Sequence, residues 1–258
     1  MEKETVTIKI GGKAASEEAA FDALAAEMAG FKGKYSFILV HGGGDEVTKI
    51  AKLFGIEPVF KDGIRITSAK EMEIVDMVLA GRLNKYLVRR FNRTGRAVGL
   101  SGSDGAIFTG TCLEDGLSTG SRTGRITTVD THLLHLLVSA DYVPIIASTS
   151  MDEHGDALNI NADEAAFAIA SEIPAGCLVF ISDIPGILKE GKIIAAINEK
   201  NIQAAIQSGI ISGGMIPKVR SSVNALKKGV TSVIIGQYQK SGDLAKLLAG
   251  RGGSRITL

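Results

Sequence analysis

The stretch Ser36-Phe37-Ile38-Leu39-Val40-His41-Gly42-Gly43-Gly44-Asp45 decides the fold. An apolar run enters three consecutive glycines, and Val47, Ile50, Ala51 and Phe54 then recur at helical spacing. The pattern reads as strand, glycine turn, helix. Glycine lets backbone approach a ligand closely, and a helix N-terminus offers free N–H groups and positive dipole charge. The unit is therefore either an anion site or a tight turn without a ligand.

Upstream, residues 5–10 alternate β-branched side chains and run into Gly11-Gly12, with Lys9 one residue from the strand's end. A lysine fits there if it emerges at the strand's C-terminal edge. Ser16 reads as the cap of a helix with Phe21, Leu24, Ala25 and Met28 inward and Gly30 as its stop. Downstream, 59–67 reads as irregular or a hairpin. Ser68 and Glu71 have capping-box spacing and open one long helix to about Phe91, striped by Met72, Val75, Leu79, Leu83 and Leu87. A strand at 97–100 ends in Ser101-Gly102-Ser103-Asp104-Gly105. Residues 106–111 and 124–129 read as a hairpin-like excursion, with 117–123 between them mobile. Asp130 is positioned to cap a helix, 142–147 is a buried-type strand, and 151–157 is a polar turn. Asn159-Ile160-Asn161-Ala162-Asp163 leads into an alanine-rich helix. The break at 174–176 marks a lobe boundary. Beyond it come a strand at 178–182, Asp183-Ile184-Pro185-Gly186-Ile187, and a helix from Asn198 to Ser208. A glycine turn at 209–215 feeds a helix carrying Lys218. A strand at 232–236, a helix at 242–249 and a closing strand follow. Strands alternating with helices give an α/β fold with a mainly parallel sheet, whose ligands sit at the C-terminal strand ends.

The 258 residues carry a net charge of +1, which speaks against a nucleic-acid partner or an acidic membrane surface. No apolar run is long enough to span a bilayer, and the N-terminus lacks signal-peptide character, so the reading is a soluble cytoplasmic protein. Cys112 and Cys177 lie far apart, and Cys177 sits in an apolar strand as a buried thiol. Walker, spaced dinucleotide-binding, protein-kinase and nucleophile-elbow motifs are absent. His132 and His135 stand three apart with no third metal ligand in reach, and no metal site is assigned. Two oddly placed lysines remain, Lys9 and Lys218. Phosphoryl transfer gives both a reason, because its transition state spreads negative charge and catalysis is mostly positioning and neutralisation. A carboxylate between them, such as Asp163, would hold them in place.

The segments Ile8-Lys9-Ile10-Gly11-Gly12, Val40-His41-Gly42-Gly43-Gly44, Gly63-Ile64-Arg65-Ile66-Thr67, Met77-Val78-Leu79-Ala80-Gly81 with Asn84-Lys85, Val98 to Gly102, Asn159 to Asp163, Ser182 to Leu188, and Gly213-Gly214-Met215-Ile216-Pro217-Lys218 together resemble the amino-acid kinase family, in its order and over nearly the whole chain. The resemblance implies a three-layer αβα sandwich in two lobes, 1–175 for the amino-acid substrate and dimerisation, 176–258 for ATP. It implies ATP-dependent phosphorylation, with Mg2+ carried by the nucleotide, of the side-chain carboxylate of N-acetyl-L-glutamate, the second step of the acetylated route to arginine. Lys9 and Lys218 would be catalytic, with Asp163 orienting them. Gly43, Gly44, Arg65 and Asn159 would hold the substrate. Gly11, Gly12, Asp183, Ile184, Pro185, Gly186, Ile187, Leu188, Ile210, Ile211 and Ser212 would line the nucleotide. The chain starts almost at its first strand, without the helix of arginine-inhibited hexameric relatives, which implies an arginine-insensitive homodimer joined through the 72–91 helix. Ser103 and Ser148-Thr149-Ser150 depart from the family's usual residues. The alternatives are a related kinase acting on acetylaminoadipate, carrier-linked glutamate or free glutamate, or a catalytically silent metabolite sensor on the same fold.

Overall fold

The structure, a computed structural model, describes residues 3–11, 13–61, 64–113, 120–173 and 176–258. The first part runs β1 (Glu4–Ile10), α1 (Lys13–Ser16), α2 (Glu18–Gly30), β2 (Tyr35–His41), α3 (Gly44–Leu53), β3 (Val59–Lys61), β4 (Ile64–Ile66), α4 (Ala69–Asp76), a π-helical segment (Met77–Leu83), α5 (Asn84–Phe91) and β5 (Ala97–Ser101). Next come β6 (Phe108–Cys112), β7 (Thr123–Val129), α6 (His132–Ser139), β8 (Val143–Ala147), β9 (Thr149–Met151), β10 (Ala157–Ile160) and α7 (Ala162–Ser171). The last part holds β11 (Cys177–Ile181), β12 (Leu188–Lys189), β13 (Lys192–Ile193), β14 (Ala196–Asn198), α8 (Glu199–Gln207), α9 (Met215–Lys227), β15 (Ser232–Gly236), α10 (Asp243–Leu248) and β16 (Ser254–Thr257).

One eight-stranded sheet, ordered β14-β16-β15-β11-β1-β2-β8-β5, crosses the molecule. The six strands from β15 to β5 are mutually parallel, and β16 runs antiparallel to β15. Central parallel strands are buried on both faces, so β2 and β11 are apolar almost throughout. β1 shows the pleat most plainly. Val6, Ile8 and Ile10 pack with Phe21, Leu24, Met28 and Leu87 under α2 and α5. Thr7 and Lys9 point the other way, toward the layer of α7 and α9, where Val40, Phe180, Ile169 and Val219 form the second core. The result is helices on both faces of the sheet, as the family resemblance implied. A four-stranded sheet, β6-β7-β10-β9, stands beside the C-terminal ends of β2 and β8.

Four local expectations change. The helix expected over 68–91 is not uniform: its middle, Met77–Leu83, widens to a π turn around Gly81, a residue that weakens regular helix. Ser16 closes the short α1 turn, and α2 starts after Glu17 instead. Of the stretch read as mobile, 117–119 lies outside the described residues. Thr123, by contrast, is buried, accepting from Thr67 N and donating to the Arg65 carbonyl. The polar turn read at 151–157 is present, but it joins two strands that the sequence did not show, β9 and β10, which pair as an antiparallel hairpin and are too short to show a period. Both cysteines are buried and free, and burial pushes the Cys177 thiol up to about 11. His132 and His135 are exposed. No helix among the described residues is long and apolar enough to cross a membrane.

Candidate active site

The parallel strands end together, so Gly11, His41 and Ser101 share one edge of the sheet. Lys9 is paired between Val40 and Phe180, and its long side chain carries the ammonium out over that edge. From α9, Lys218 lays its amine 5.0 Å from the Phe180 ring centroid. Between the two lies Asp163, in the first turn of α7. Asn161 caps that helix, its Oδ1 accepting from Asp163 N and Glu164 N. Asp163 Oδ1 is 2.9 Å from Lys9 Nζ, and its Oδ2 is 3.1 Å from Lys218 Nζ. Burial pushes the Asp163 carboxyl up, but the charges of Lys9 and then Lys218 outweigh this and hold it below the usual carboxylate range.

The glycine loop is shaped by its neighbours. A Cβ on Gly42 would come 3.2 Å from the Ala162 Cβ, so a side chain there would push the start of α7 away from the loop by a few tenths of an ångström. Gly43 has φ +157°, and a Cβ there would meet Leu83 Cδ2 at 2.6 Å and Leu79 Cδ2 at 2.9 Å. The π turn thus presses on the loop. Gly44 faces open space and begins α3, whose first N–H groups have no intrahelical acceptor. Beneath the loop, His41 Nδ1 donates to the Gly42 carbonyl at 2.9 Å, and Asn84 Nδ2 donates to His41 Nε2 at 3.1 Å. Asn84 also donates to the carbonyls of Ile145 and Leu100, tying α5 to β8 and β5. Gly99 permits this, since a Cβ would sit 2.1 Å from Asn84 Oδ1. Complete burial, aided by the Lys85 charge, lowers the His41 pKa to about 4, so the ring is neutral.

A cavity of about 400 Å3 opens between loop, α3, α4, α7 and the small sheet. Lys9, Gly43, Gly44, Arg65, Asn159 and Asp163 all line it, so six of the sequence-assigned residues converge there. Arg65 is buried and engaged: Nη1 donates to Glu71 Oε1 at 2.8 Å, and Nη2 donates to the Gly44 carbonyl at 3.0 Å and to Thr48 Oγ1. Its guanidinium stands 4.8 Å from the Phe60 ring. Asn159 Nδ2 donates to Thr67 Oγ1 at 2.8 Å. Glu164 also lines the cavity, and burial raises its pKa despite the Ile126 N–H that it accepts.

A model of the amino acid kinase family matches residues 4–237. The chain belongs to this family. Acetylglutamate kinase of Agrobacterium fabrum is 39% identical over 91% of the chain and 84% of its own length. That of Pseudothermotoga lettingae is 37% identical over 90% and 83%. Among solved structures, smu.665 from Streptococcus mutans UA159 aligns with a TM-score of 0.80 at 26% identity, covering 99% of each chain. Carbamate kinase from Giardia lamblia shares the fold, at a TM-score of 0.73 and 15% identity over 99% and 98%.

Among the described residues, the other assigned positions of this amino acid kinase are not part of that cavity's lining. Gly11 donates its N–H to the Ile181 carbonyl, and a Cβ on it would come 3.0 Å from Lys9 Nζ. Gly12 lies outside the described residues. In 183–188, the Asp183 carbonyl accepts from Gln237 Nε2, and Ile187 N donates to Ser254 Oγ at 2.8 Å. Gly186, at φ +150°, packs where a Cβ would be 2.7 Å from that same Oγ. Ile187 and Ile211 are 2% and 1% exposed and belong to the core, so their side chains are not available to a ligand. Ile184, Leu188 and Ser212 face solvent, and Pro185 and Ile210 are half-buried. Sequence reasoning missed Thr48, Thr123 and Glu71, and it marked Ser148, which lines the cavity, only as a departure from the family's usual residues. Glu71 gave a signal that was read differently: its N–H does go to Ser68 Oγ, but its carboxylate goes to Arg65 and not back to the cap.

Proposed function

We propose that this amino acid kinase transfers the γ-phosphoryl group of ATP to the side-chain carboxylate of N-acetyl-L-glutamate, on the route to arginine. The observation that carries the proposal is Asp163 held between Lys9 and Lys218 at the mouth of the cavity. The nucleophile has a pKa of about 4.3 and is ionised at neutral pH, so the site needs no general base. This matches a site whose histidine is buried and neutral. Its oxygen attacks phosphorus, the bond to the β-phosphate oxygen breaks, and ADP leaves. Lys9 and Lys218 neutralise charge on the transferred group, and Asp163 fixes their spacing. Free N–H groups at Gly43 and Gly44 meet the reacting oxygens, Arg65 takes the α-carboxylate, and Asn159 takes the acetylamino group.

ATP binds across 183–188 and 210–212, largely through backbone, so residues 1–175 serve the amino acid and 176–258 the nucleotide. Magnesium fits as an ion carried by the phosphates: both Asp163 oxygens face lysines, and among the described residues no three His, Cys, Asp or Glu side chains cluster to hold a metal. The ion would neutralise the phosphate chain. A second copy docks on the 72–91 segment, where Met77 is 55% exposed. Solution mass checks this; a monomer unaffected by Met77→Glu excludes it.

The test of function is turnover with ATP and N-acetyl-L-glutamate, trapping the acyl phosphate with hydroxylamine. A hydroxamate that requires both substrates is expected. Its absence, with activity on acetylaminoadipate or glutamate, overturns the substrate assignment. No phosphoryl transfer to any of them overturns the reaction.

A further inference from the structure

Arg65 and Glu71 form an ion pair whose side chains are 8% and 3% exposed. Removing charges from water is costly unless they are paired with good geometry, so the arrangement is a fixed one. Glu71 is itself rigidly placed, in the first turn of α4, with its N–H on Ser68 Oγ and Met72 and Val75 packed in the core behind it. A guanidinium has five N–H donors in a planar fork. The three hydrogen bonds to Glu71, Thr48 and the Gly44 carbonyl leave Nε–H and one Nη1–H for a ligand in the cavity. Those two do not lie on a common edge of the fork. A carboxylate arriving there therefore meets an arginine whose plane is already set, and a fully bidentate clasp requires Nη2 to release Thr48 or the glycine loop.

We propose that Glu71 is a positioning residue for the reaction: it holds the Arg65 guanidinium across the cavity wall so that the substrate α-carboxylate meets a pre-set donor. Thr48 completes the hold from α3, and the Gly44 contact couples Arg65 to the loop that faces the phosphoryl group. This rests on the reading of Arg65 as the α-carboxylate ligand. Glu71 need not touch the substrate. Its effect passes through one arginine, so it is confined to substrates that carry the group Arg65 binds.

That confinement gives the test. KM for N-acetyl-L-glutamate, KM for ATP, kcat, and the inhibition constant of 4-acetamidobutyrate, the same skeleton without the α-carboxylate, are measured for the parent, Glu71→Ala and Glu71→Gln. Glu71→Ala is expected to raise KM for N-acetyl-L-glutamate by about tenfold or more, with kcat and KM for ATP within about threefold. Glu71→Gln keeps the acceptor for Nη1 and restores KM to within about threefold of the parent. The inhibition constant of 4-acetamidobutyrate stays constant throughout. Equal weakening of both compounds, or an unchanged KM in Glu71→Ala, overturns the inference. If Glu71→Ala fails to fold, Thr48→Val removes the other side-chain acceptor and must show the same selectivity. No turnover in the parent overturns the proposed function itself. Turnover with unselective variants overturns only the role of Glu71.

Discussion

The wall built from the glycine loop, Arg65 and Asn159 differs in kind from the stretches 183–188 and 210–212. On the wall, polar side chains are fixed by other polar groups, most of them buried: Arg65 by Glu71 and the half-buried Thr48, Asn159 by Thr67, the loop by His41 and Asn84. In the two stretches, Ile187 and Ile211 sink into the core, Ile184 and Leu188 stand in solvent, and Pro185 and Ile210 are half-buried. A small acidic substrate offers few atoms, and each must be met by a placed donor. A nucleotide offers a long phosphate chain and a planar base, which backbone and a loose apolar rim can hold. Lys9, Asp163 and Lys218 sit at the seam.

The seam gives the largest expected effect. If Lys9 and Lys218 face the transferred group as proposed, Lys9→Ala and Lys218→Ala should each lower kcat by about 100- to 1,000-fold with little change in either KM. Steady-state kinetics check this. If both variants keep near-parental kcat, the seam is not the reaction centre and the two walls belong to separate sites.

The wall's buried network should make stability depend on pH. His41 is neutral in the fold, with its pKa lowered from 6.5 to about 4. Between those values the unfolded chain binds a proton that the folded chain does not, so stability rises with pH. The contribution is complete above the unfolded value and is lost as pH falls through it toward 4, about 3 kcal/mol in all. Asp163 has the opposite charge type but the same sign: its lowered pKa stabilises above the unfolded carboxylate range and is lost only at lower pH. Denaturant titrations between pH 7 and 4 should show the slope, and His41→Gln should flatten it. A slope unchanged in that variant would locate the titration elsewhere.

Next in size is the loop itself. Gly43→Ala drives a methyl group into Leu83 and Leu79 and should cost about 1–3 kcal/mol, seen as a lower melting temperature, along with activity. Gly44 has open space around it, so Gly44→Ala should leave the melting temperature nearly unchanged and affect only substrate KM. Equal stability losses would mean that the π turn yields and does not shape the loop.

How much of this could be read from the chain follows the same division. Lys9 stood out because a charge at the end of an apolar strand breaks its local pattern, whereas Lys218 and Asp163 were singled out only together with it, through the needs of phosphoryl transfer and the family resemblance. The order of strands and helices was legible because periodicity is local. The contacts that fix the wall were not. Arg65 with Glu71, His41 with Asn84, and Thr67 with Asn159 join segments whose facing depends on register across the sheet and on the π turn. A one-residue slip would reverse which side chains meet. Glu71 shows the limit well, since its capping spacing was correct while its side-chain partner lay in another element.

The smallest effects should come from the proposed nucleotide side, and they sharpen the contrast most. Ile184 and Leu188 are 38% and 40% exposed, so truncating either removes little buried surface. Ile184→Ala and Leu188→Ala should each cost under about 1 kcal/mol of stability. If these residues form an apolar rim for the base, KM for ATP rises by about two- to fivefold while KM for N-acetyl-L-glutamate holds steady. The modest size is itself informative, because backbone contacts survive the substitution. A larger rise, beyond about tenfold, would mean that side chains carry nucleotide recognition after all. No rise in either variant would place the base away from 183–188 and leave the contrast between the two sides to rest on burial alone.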